Sequence, residues 1–434
     1  MLQRTLALVV GVLTTAVVAT VQPIYGQSRT ATGGAVKNTL PAFVPVSFSD
    51  LPGWQRDDHL AALKTFLKSC DIIIAASKSA NKGGAAPTTP ALLSACDEGL
   101  RLNIKSLTVT GARSFFETHF TPHRIEHNSA AGLLTGYYEP VIAGSRKPTS
   151  KFSIPIHTRP LDLVNLVEES QRGAKDGTLT HARKTATGIE PYATRAEIEQ
   201  GALQGKGLEL MYLASSVDAF FMQIQGSGRI KLPDGSMVRV SYDGKNGHPY
   251  TSIGRHLIDS GLFPADKMSL AALGDWLKAD PERGRRVMWQ NKSYVFFREL
   301  KGKESEGALG VLHIPLTTGR SLAVDAGVHA IGTPVYVSAP TLMHASKTGG
   351  YHRLMVAQDV GSAIKGPERG DIYFGTGDAA GKLAGVTKHP ASFLVLLPHG
   401  LTTQAAAIGS GKPANTTQPA TASSSSRSSS RAEP

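Results

Sequence analysis

The sequence predicts a mainly β fold in which short strands build a barrel, with a group of helices ahead of the first strands. From residue 309 to residue 397, six apolar runs of strand length follow one another, and turn residues separate them. Between residues 57 and 120, apolar residues recur instead at helical spacing. Short strands at this density are typical of a barrel, and apolar residues three and four apart are typical of helices.

The first predicted helix runs from residue 57 to about residue 74, with an apolar stripe formed by Leu60, Leu63 and Leu67. Two further helical stretches surround Cys96 and the run Phe115–Phe120. The spacing of apolar residues changes at residue 133, where strand-like runs separated by turn residues begin. The sequence therefore predicts an N-terminal helical group followed by strands.

The chain contains two cysteines, Cys70 and Cys96. Cys70 falls on the apolar stripe of the first helix, and Cys96 lies in another helical pattern. In an exported protein an even pair predicts one disulfide, which would be a structural staple and not a redox centre. Two buried free thiols in a helix–helix contact are the alternative.

Helices are expected only twice between residues 140 and 300. Thr194 and Glu197 form a capping box that starts a helix ending near Gly201. The stretch "SLAALGDWLKADP" is a second short helix. The remainder, from Phe220 to Phe297, is interpreted as short strands and turns, including "FFMQIQGSGRIKL".

Both ends of the chain differ in composition from the body. Residues 1–26 combine an early arginine with an apolar run and predict a signal peptide, with an uncleaved anchor as the alternative. Residues 27–40 are a polar linker, and residues 399–434 form a Ser/Arg-rich tail that is expected to be disordered. No cysteine lies near the signal, so no lipid anchor is predicted. The protein is expected in the periplasm.

The formal net charge of +12 and the pI of about 9.6 indicate an anionic partner. Zinc-finger spacing, RNP-like aromatic strands and long basic runs are missing from the sequence, so nucleic acid is not the predicted partner. His119, His123 and His127 recur at four-residue steps on an expected helix face, but Pro122 interrupts it. No metal site is predicted there.

The segment "QIQGSGR" lacks the Lys-Ser/Thr of a phosphate loop and the setting of a serine nucleophile. It predicts Gln223 and Gln225 on one side of a strand. Tyr242, Lys245 and Asn246 follow in a second polar segment. Amides with these neighbours suit the hydroxyl and acetamido groups of a sugar, and ordinary turn chemistry is the alternative.

Asp371 opens an apolar strand and shares one strand face with Tyr373. A carboxyl group beside packed aromatic rings is desolvated, which raises its pKa and suits it to protonate a leaving oxygen. A plain turn residue is the alternative. Asp359 and Asp325 are the other acids in this segment, and spacing leaves open whether either faces Asp371.

At these residues the sequence resembles the membrane-bound lytic murein transglycosylase A family, on the motifs "LLTGYYEP", "FFMQIQGSGRI", "SYDGKNGHPYTSIGRHLI", "NKSYVFFRE" and "LMVAQDVGSAIKGPERGDIYFG". The resemblance implies a double-psi β-barrel domain assembled from residues 41–139 and 301–398. A second, smaller β-domain, residues 140–300, would be inserted, and substrate glycan would lie in the groove between the two.

The resemblance also implies site residues. Asp371 falls on the family's catalytic acid, Asp359 and Thr135 fall on positions that line and support the same site, and Asp325 would be the third acid of the three-aspartate module. Our own hypothesis is that Asp359 stabilises the transition state. The implied substrate-binding residues are Thr135, Tyr137, Gln223, Gln225, Ser227, Gly228, Tyr242, Lys245, Asn246 and Asp325.

The implied activity is that of a peptidoglycan lytic exotransglycosylase, a lyase of class EC 4.2.2.-, without metal or cofactor. It would cleave the β-1,4 bond between N-acetylmuramic acid and N-acetylglucosamine and form 1,6-anhydro-N-acetylmuramic acid. The expected form is a periplasmic monomer on peptidoglycan glycan strands, associated with murein or the outer membrane and with other wall-remodelling proteins. A hydrolase on the same barrel and a non-catalytic wall-binding module are the alternatives.

Overall fold

The computed structural model describes residues 41–80, 90–128, 131–166, 179–302, 306–346 and 349–400. The predicted signal peptide, the linker and all but the first two residues of the predicted tail lie outside these ranges. Within them, no helix has both the length and the apolar character needed to cross a membrane.

The strands, in chain order, are β1 (Ala42–Pro45), β2 (Phe120–Glu126), β3 (Leu133–Glu139), β4 (Val141–Ser145), β5 (Ile154–His157), β6 (Leu163–Asn165), β7 (His181–Lys184), β8 (Ile189–Glu190), β9 (Glu209–Leu213), β10 (Ser227–Lys231), β11 (Met237–Lys245), β12 (Val295–Leu300), β13 (Ser321–Val324), β14 (Pro334–Ala339), β15 (Tyr351–Val360), β16 (Arg369–Thr376), β17 (Lys388–Pro390) and β18 (Ser392–Pro398). The helices are α1 (His59–Ala80), α2 (Pro90–Arg101), α3 (Val109–His119), α4 (Arg195–Glu197), α5 (Ser216–Gln225), α6 (Ile253–Asp259), α7 (Leu270–Ala279), α8 (Pro281–Met288) and α9 (Asp378–Val386).

The larger sheet has nine strands in the order β1-β2-β18-β14-β15-β13-β16-β3-β17. Three of its strands, β1, β2 and β3, come from before residue 140 and the other six from after residue 320, so the chain leaves this sheet and returns to it. The mainly β class predicted from the sequence is therefore confirmed. In the described residues the hydrogen-bonded ladder ends at β1 and β17, and the predicted closed barrel is not seen.

The central strands of this sheet are buried on both faces, and β14 is buried at every position. Val335 and Val337 point into a core that the strands share with α9, whereas Tyr336 points into a second core against α1, α2 and α3. Continuous apolar runs are expected for strands covered on both sides. Each fully buried aliphatic or aromatic side chain contributes about 2 kcal/mol.

The helical group follows its predicted pattern. Cys70 of α1 and Cys96 of α2 are joined by a disulfide. The group is also tied to the sheet through Asp57, whose two carboxylate oxygens each accept a hydrogen bond of 2.8 Å from Arg320. Both partners are buried, and the Leu354 backbone N–H donates to the same carboxylate.

The smaller sheet, β12-β11-β10-β4-β9-β5, is built from the residues between β3 and β13. One of its faces packs on α5, which lies between this sheet and the helices α6, α7 and α8. A three-stranded sheet, β6-β7-β8, completes this part of the chain. The predicted capping box is present, since Thr194 caps α4 and Glu197 reaches back to the Thr194 backbone.

Several local predictions were wrong. Three helices between residues 140 and 300, α5, α6 and α8, were not predicted. Gln223 and Gln225 do not share a strand face, because they lie in the last turns of α5. The Ser215 hydroxyl caps that helix at its start, and Gly226 at φ 76° ends it. The first of the six apolar runs predicted as strands, "GVLHIPL" (residues 310–316), forms no regular strand, and only Pro315 of this run makes an isolated bridge, to Leu309. The three histidines do not line one helix, because α3 ends at His119 and the chain continues as β2.

The chain passes between the nine-stranded and the six-stranded sheet twice, and one side chain binds both of these crossings. Arg229 of β10 donates through Nε to Glu139 at the first crossing, at 2.7 Å, and through Nη2 to the Glu306 carbonyl at the second, also at 2.7 Å. Glu139 is fully buried and also accepts a hydrogen bond from Thr376. A charged pair held this way fixes both walls of the space between the sheets.

Candidate active site

A row of three residues crosses the nine-stranded sheet at one level. Ala323 in β13 pairs with Asp359 of β15 on one side and with Asp371 of β16 on the other. Neighbouring strands lie about 4.8 Å apart, so the two acids are separated by about 10 Å at the backbone. Paired residues project to the same face. The row thus presents two carboxyl groups on one surface, with the small side chain of Ala323 between them.

The placement of Asp359 depends on an irregularity in β15. The register shifts between Leu322 and Ala323, so that Leu322 pairs with Ala357 but Ala323 pairs with Asp359. The extra residue, Gln358, points to the helices, where it binds Thr65 and Ser69. A bulge of this kind re-aims the next side chain, and here it brings Asp359 to the face of Asp371.

Asp371 lies in a largely desolvated position, and 19% of its side-chain surface remains exposed. Burial raises its pKa to about 6, although the Arg369 guanidinium 3.7 Å away opposes that rise. Thr135 pairs with Asp371 from the neighbouring strand β3, and its hydroxyl donates a short hydrogen bond to Asp371 Oδ1. The group is therefore a carboxyl that keeps its proton in mildly acidic solution and is held in a fixed orientation.

Asp359 is held by a different set of donors. The Tyr137 hydroxyl donates to its Oδ2 at 2.8 Å, and the Val360 backbone N–H donates to its Oδ1 at 2.9 Å. Burial and the neighbouring carboxylate raise the pKa of Tyr137 well above its usual value, so this phenol remains a donor. Hydrogen bonds to a carboxylate favour its charged form.

Both acids line a cavity of about 340 Å³ between the two sheets. The nine-stranded sheet supplies the acids, Ala323 and Tyr137, and the inserted part supplies the opposite wall. Of the substrate-binding residues predicted from the sequence, six line this cavity: Tyr137, Gln223, Gln225, Ser227, Tyr242 and Lys245.

Two of the inserted residues make bonds to the wall that carries the acids. Lys245 donates through Nζ to the Ser362 hydroxyl at 3.1 Å, and Ser362 lies in the connection between β15 and β16. The Gln225 side-chain oxygen accepts from the Tyr138 backbone N–H at 3.0 Å. These contacts hold the walls together beside the acids.

The four other predicted residues do not line the cavity. Thr135 is hydrogen-bonded to Asp371 and holds that acid in place from outside the lining. Gly228 lies against Met222, and a Cβ there would come within 2.5 Å of its sulfur. Asn246 is fully buried and binds backbone groups of Ala193 and Lys292.

Asp325, the fourth of these, supports the connection between the two acids. Its Oδ1 accepts from the Gly327 backbone N–H at 3.0 Å and its Oδ2 from that of Gly366 at 2.8 Å. Gly366 has φ 108°, a conformation that favours glycine. His329 binds the next residue, Pro367, through its carbonyl. Asp325 therefore shapes the loop that leads from Asp359 to Asp371.

Three of the cavity residues that the sequence interpretation did not name lie close to the acids or shape the opposite wall. Tyr250 lies opposite Asp371, and the charge of that acid contributes to the raised pKa of the phenol. Arg195 is buried in the inserted wall and donates to the Asn291 and Ser293 carbonyls. Ala323 is the spacer between the acids. Tyr250 ends the polar segment that begins at Tyr242, which was a usable signal, but nothing in the sequence pointed to Ala323.

Among the described residues, no group of three or more histidine, cysteine, aspartate or glutamate side chains is arranged to hold a metal ion.

Fold and site together define a mainly β protein with two large sheets and a largely desolvated carboxylic acid in the cavity between them. A family model described as the MltA specific insert domain matches residues 133–298, and one described as the 3D domain matches residues 320–397. The chain belongs to the membrane-bound lytic murein transglycosylase A family.

Solved structures resemble the chain over most of its length. A membrane-bound lytic murein transglycosylase from Agrobacterium tumefaciens is 35% identical with a TM-score of 0.71, and the match covers 82% of this chain and 98% of that one. Escherichia coli MltA with bound chitohexaose is 28% identical with a TM-score of 0.56, and the match covers 83% and 95% of the two chains.

Curated relatives named membrane-bound lytic murein transglycosylase A match over a shorter stretch. The protein from Vibrio cholerae is 36% identical over 261 residues, and the one from Escherichia coli K12 is 38% identical over 259 residues. Each match covers 59% of this chain, and the chain spans 63% and 62% of the length of these two relatives.

Proposed function

We propose that this protein is a peptidoglycan lytic transglycosylase. It cleaves the β-1,4 bond between N-acetylmuramic acid and N-acetylglucosamine and leaves a 1,6-anhydro-N-acetylmuramic acid end, as a lyase of class EC 4.2.2.-. The observation that carries the proposal is Asp371, a buried carboxyl with a pKa of about 6 in the cavity between the sheets. The names of the relatives, and the chito-oligosaccharide bound to one of them, support this substrate class.

In the proposed reaction Asp371 acts twice. As an acid it gives its proton to the glycosidic oxygen while the bond to C1 of the muramyl residue breaks. As a carboxylate it then takes the proton of the muramyl 6-hydroxyl, whose oxygen closes onto C1. The proton returns to Asp371, so atoms and charge balance without water. A pKa near the working pH suits a group that must both give and accept a proton.

Asp359 is proposed to stabilise the positive charge that develops at C1. It lies in the same row as Asp371, and the Tyr137 hydroxyl and the Val360 backbone N–H both donate to it. A fixed negative charge in a partly desolvated site stabilises an oxocarbenium-like transition state more strongly than it would in water. Tyr137 holds this carboxylate in place and does not take part in proton transfer.

The domain description that goes with this function is also a proposal. Residues 41–139 and 301–398 are proposed to form the catalytic domain, with the double-psi arrangement of its strands, and residues 140–300 the inserted domain. The remaining substrate contacts are assigned to Gln223, Gln225, Ser227, Tyr242 and Lys245, which line the inserted wall. The proposed setting is the periplasm, on murein or beside the outer membrane.

A hydrolase is the second candidate, because Asp359 gives the site a second carboxylate. Backbones about 10 Å apart are compatible with carboxyl groups about 6.5–9.5 Å apart, the separation typical of inverting glycosidases. In that reaction Asp359 would activate a water molecule, and the product would carry a reducing end.

Product analysis separates these candidates. Purified murein is incubated with the wild type and with Asp371→Asn, and soluble muropeptides are identified by mass spectrometry. We expect anhydro-muropeptides from the wild type and none from the variant. Products heavier by one water would establish the hydrolase. Murein binding without any release would leave only the wall-binding module.

A further inference from the structure

We infer that Gln358, the extra residue of the β15 bulge, is a positioning residue for Asp359, and that helix α1 holds this acid in place through it. The inference rests on the proposed function, because it deepens the role that Asp359 is given there. Gln358 does not line the cavity, so it acts on the reaction only through its neighbour. The helical group would then support the site as well as the fold.

The Gln358 side chain is hydrogen-bonded at both ends of its amide. Its Nε2 donates to the Thr65 carbonyl at 2.9 Å and to the Ser69 hydroxyl at 2.8 Å. Its Oε1 accepts from the Ser321 hydroxyl at 2.5 Å. Because a carbonyl oxygen only accepts, the Thr65 contact fixes which end of the amide faces α1.

The partners of this amide are themselves fixed. Thr65 and Ser69 are four residues apart on α1, so they lie on one face of the helix. The Ser321 hydroxyl accepts from the Thr317 backbone N–H at 2.8 Å, which leaves its hydrogen for Gln358. Gln358 and its three partners are buried, with at most 1% of their surface exposed. A buried polar network with its members paired makes its surroundings rigid.

The backbone of Gln358 is held by a segment of the cavity wall. A bulge leaves its extra residue outside the regular strand pairing. The Gln358 carbonyl accepts a hydrogen bond of 3.2 Å from the Val311 backbone N–H. A Cβ on Gly310 would come within 2.3 Å of the same carbonyl oxygen. Since Gly310 and Val311 both line the cavity, the bulge is fixed by α1 through its side chain and by the cavity wall through its backbone.

The bulge decides which face of the sheet Asp359 reaches. Without the extra residue, Asp359 would pair with Val324 instead of with Ala323. Val324 is buried in the apolar core of the sheet, so the acid would be aimed at that core and away from Asp371. A carboxylate in an apolar core is strongly unfavourable. Loss of the Gln358 contacts is therefore expected to loosen the bulge and not to remove it.

A loosened bulge should slow the reaction without weakening substrate binding. Misplacement of a reacting or stabilising group by about 1 Å can cost about 100-fold in rate. Asp359 would keep its donors Tyr137 and Val360, so we expect a smaller loss, of about tenfold in kcat. KM should change by less than about twofold, because the substrate contacts assigned to the inserted wall are unaltered.

The test is a double-mutant cycle on the full chain, with murein as substrate and at a temperature where every variant is folded. Gln358→Met keeps a side chain of similar length and removes the amide. It should lower kcat about tenfold in the wild type but by less than about twofold in the Asp359→Asn background, where no carboxylate is left to position. An equal loss in both backgrounds, or no loss in the wild type, would overturn the inference.

Ser69→Ala and Tyr336→Phe form a matched pair of milder substitutions. Tyr336 also ties the sheet to the N-terminal part of the chain, since its hydroxyl donates to the Pro52 carbonyl at 2.6 Å, but it does not line the cavity. Each change removes one buried hydrogen bond, so both should lower the melting temperature by similar amounts. Only Ser69→Ala should lower kcat, several-fold. Equal kcat values for the pair would refute the positioning role, also in the event that Gln358→Met does not fold.

Crystal structures of the variants provide a readout that does not depend on turnover. The Tyr137 hydroxyl and Asp359 Oδ2 are 2.8 Å apart, and in Gln358→Met they should separate beyond about 3.5 Å. Tyr336→Phe should retain this bond. An unchanged bond in Gln358→Met would contradict the inference. If the wild type released no anhydro product, or if Asp359→Asn left kcat unchanged, the proposed function would fail and this distance would still decide the inference.

Discussion

Arg369 sets the upper pH limit of the proposed reaction, and its removal should move that limit upwards. Its guanidinium lies 3.7 Å from Asp371 Oδ1 and favours the carboxylate form. Arg369→Met removes this charge and leaves the strand residue in place. Because the acid must be protonated to act, activity is present below its pKa and is lost as the pH rises through it.

The size of the shift follows from Coulomb's law. Two unit charges 3.7 Å apart interact by about 1 kcal/mol at the dielectric constant of water and by about four times as much at an effective constant of 20. Both side chains keep part of their surface in contact with solvent, 15% for Arg369 and 19% for Asp371, so we take a value near the lower end. We expect the pKa of Asp371 to rise by about 1 to 2 pH units.

The assay is kcat/KM for release of anhydro-muropeptides between pH 4.5 and 9, a range to be covered in steps of about half a unit around the pKa. The wild type should lose activity near pH 6, and the variant should do so about 1 to 2 units higher. Arg124→Met is the control, because Arg124 pairs with Glu126 at an exposed position. An unchanged or lowered limit in Arg369→Met would refute the assignment of Asp371 as the acid.

Three further substitutions test the architecture. Tyr137→Phe removes the 2.8 Å hydrogen bond to Asp359 and should lower kcat about tenfold or more with little change in KM; an unchanged kcat would dismiss the role of that acid. Replacing both Cys70 and Cys96 by serine opens a link across a sequence separation of 26 residues and should lower the free energy of unfolding in urea by about 3 kcal/mol. Asp57→Ala leaves a buried guanidinium without its partner and should cost about 3–5 kcal/mol in the same assay, and a loss below about 1 kcal/mol would contradict that account.

The strands around the acids were predictable because their signals are local. The runs that contain Asp359 and Asp371 are apolar, of strand length and separated by turn residues. In the structure these runs form β15 and β16. The desolvation of Asp371 could be inferred from its aromatic neighbour, and its raised pKa agrees with that inference. Short-range patterns of this kind do not depend on how the sheet is assembled.

What the sequence could not provide was register. Whether Asp359 faces Asp371 depends on the bulge at Gln358 and on the pairing of both strands with β13. A shift of one residue reverses the direction of every side chain. The alternation of side chains along a strand therefore could not decide whether Asp359 faces Asp371.

The helix α5 was missed for a different reason. Of its capping signals, Ser215 lies outside the run "FFMQIQGSGRIKL" that suggested a strand, and Gly226 lies within that run, where it was interpreted as a turn residue. Short apolar runs do not separate strand from helix by periodicity alone. The error changed the expected geometry of Gln223 and Gln225, although both reach the cavity.

Arg229 binds both places where the chain passes between the two sheets, so the inserted segment begins and ends close to one point. Its first and last residues leave the nine-stranded sheet within reach of one side chain, so the insertion interrupts the larger sheet at a single place. A different insertion could be grafted there without cutting the strands that hold the acids. Substrate choice and bond cleavage would then evolve separately, the first by changes in the insert and the second by changes in the sheet that receives it.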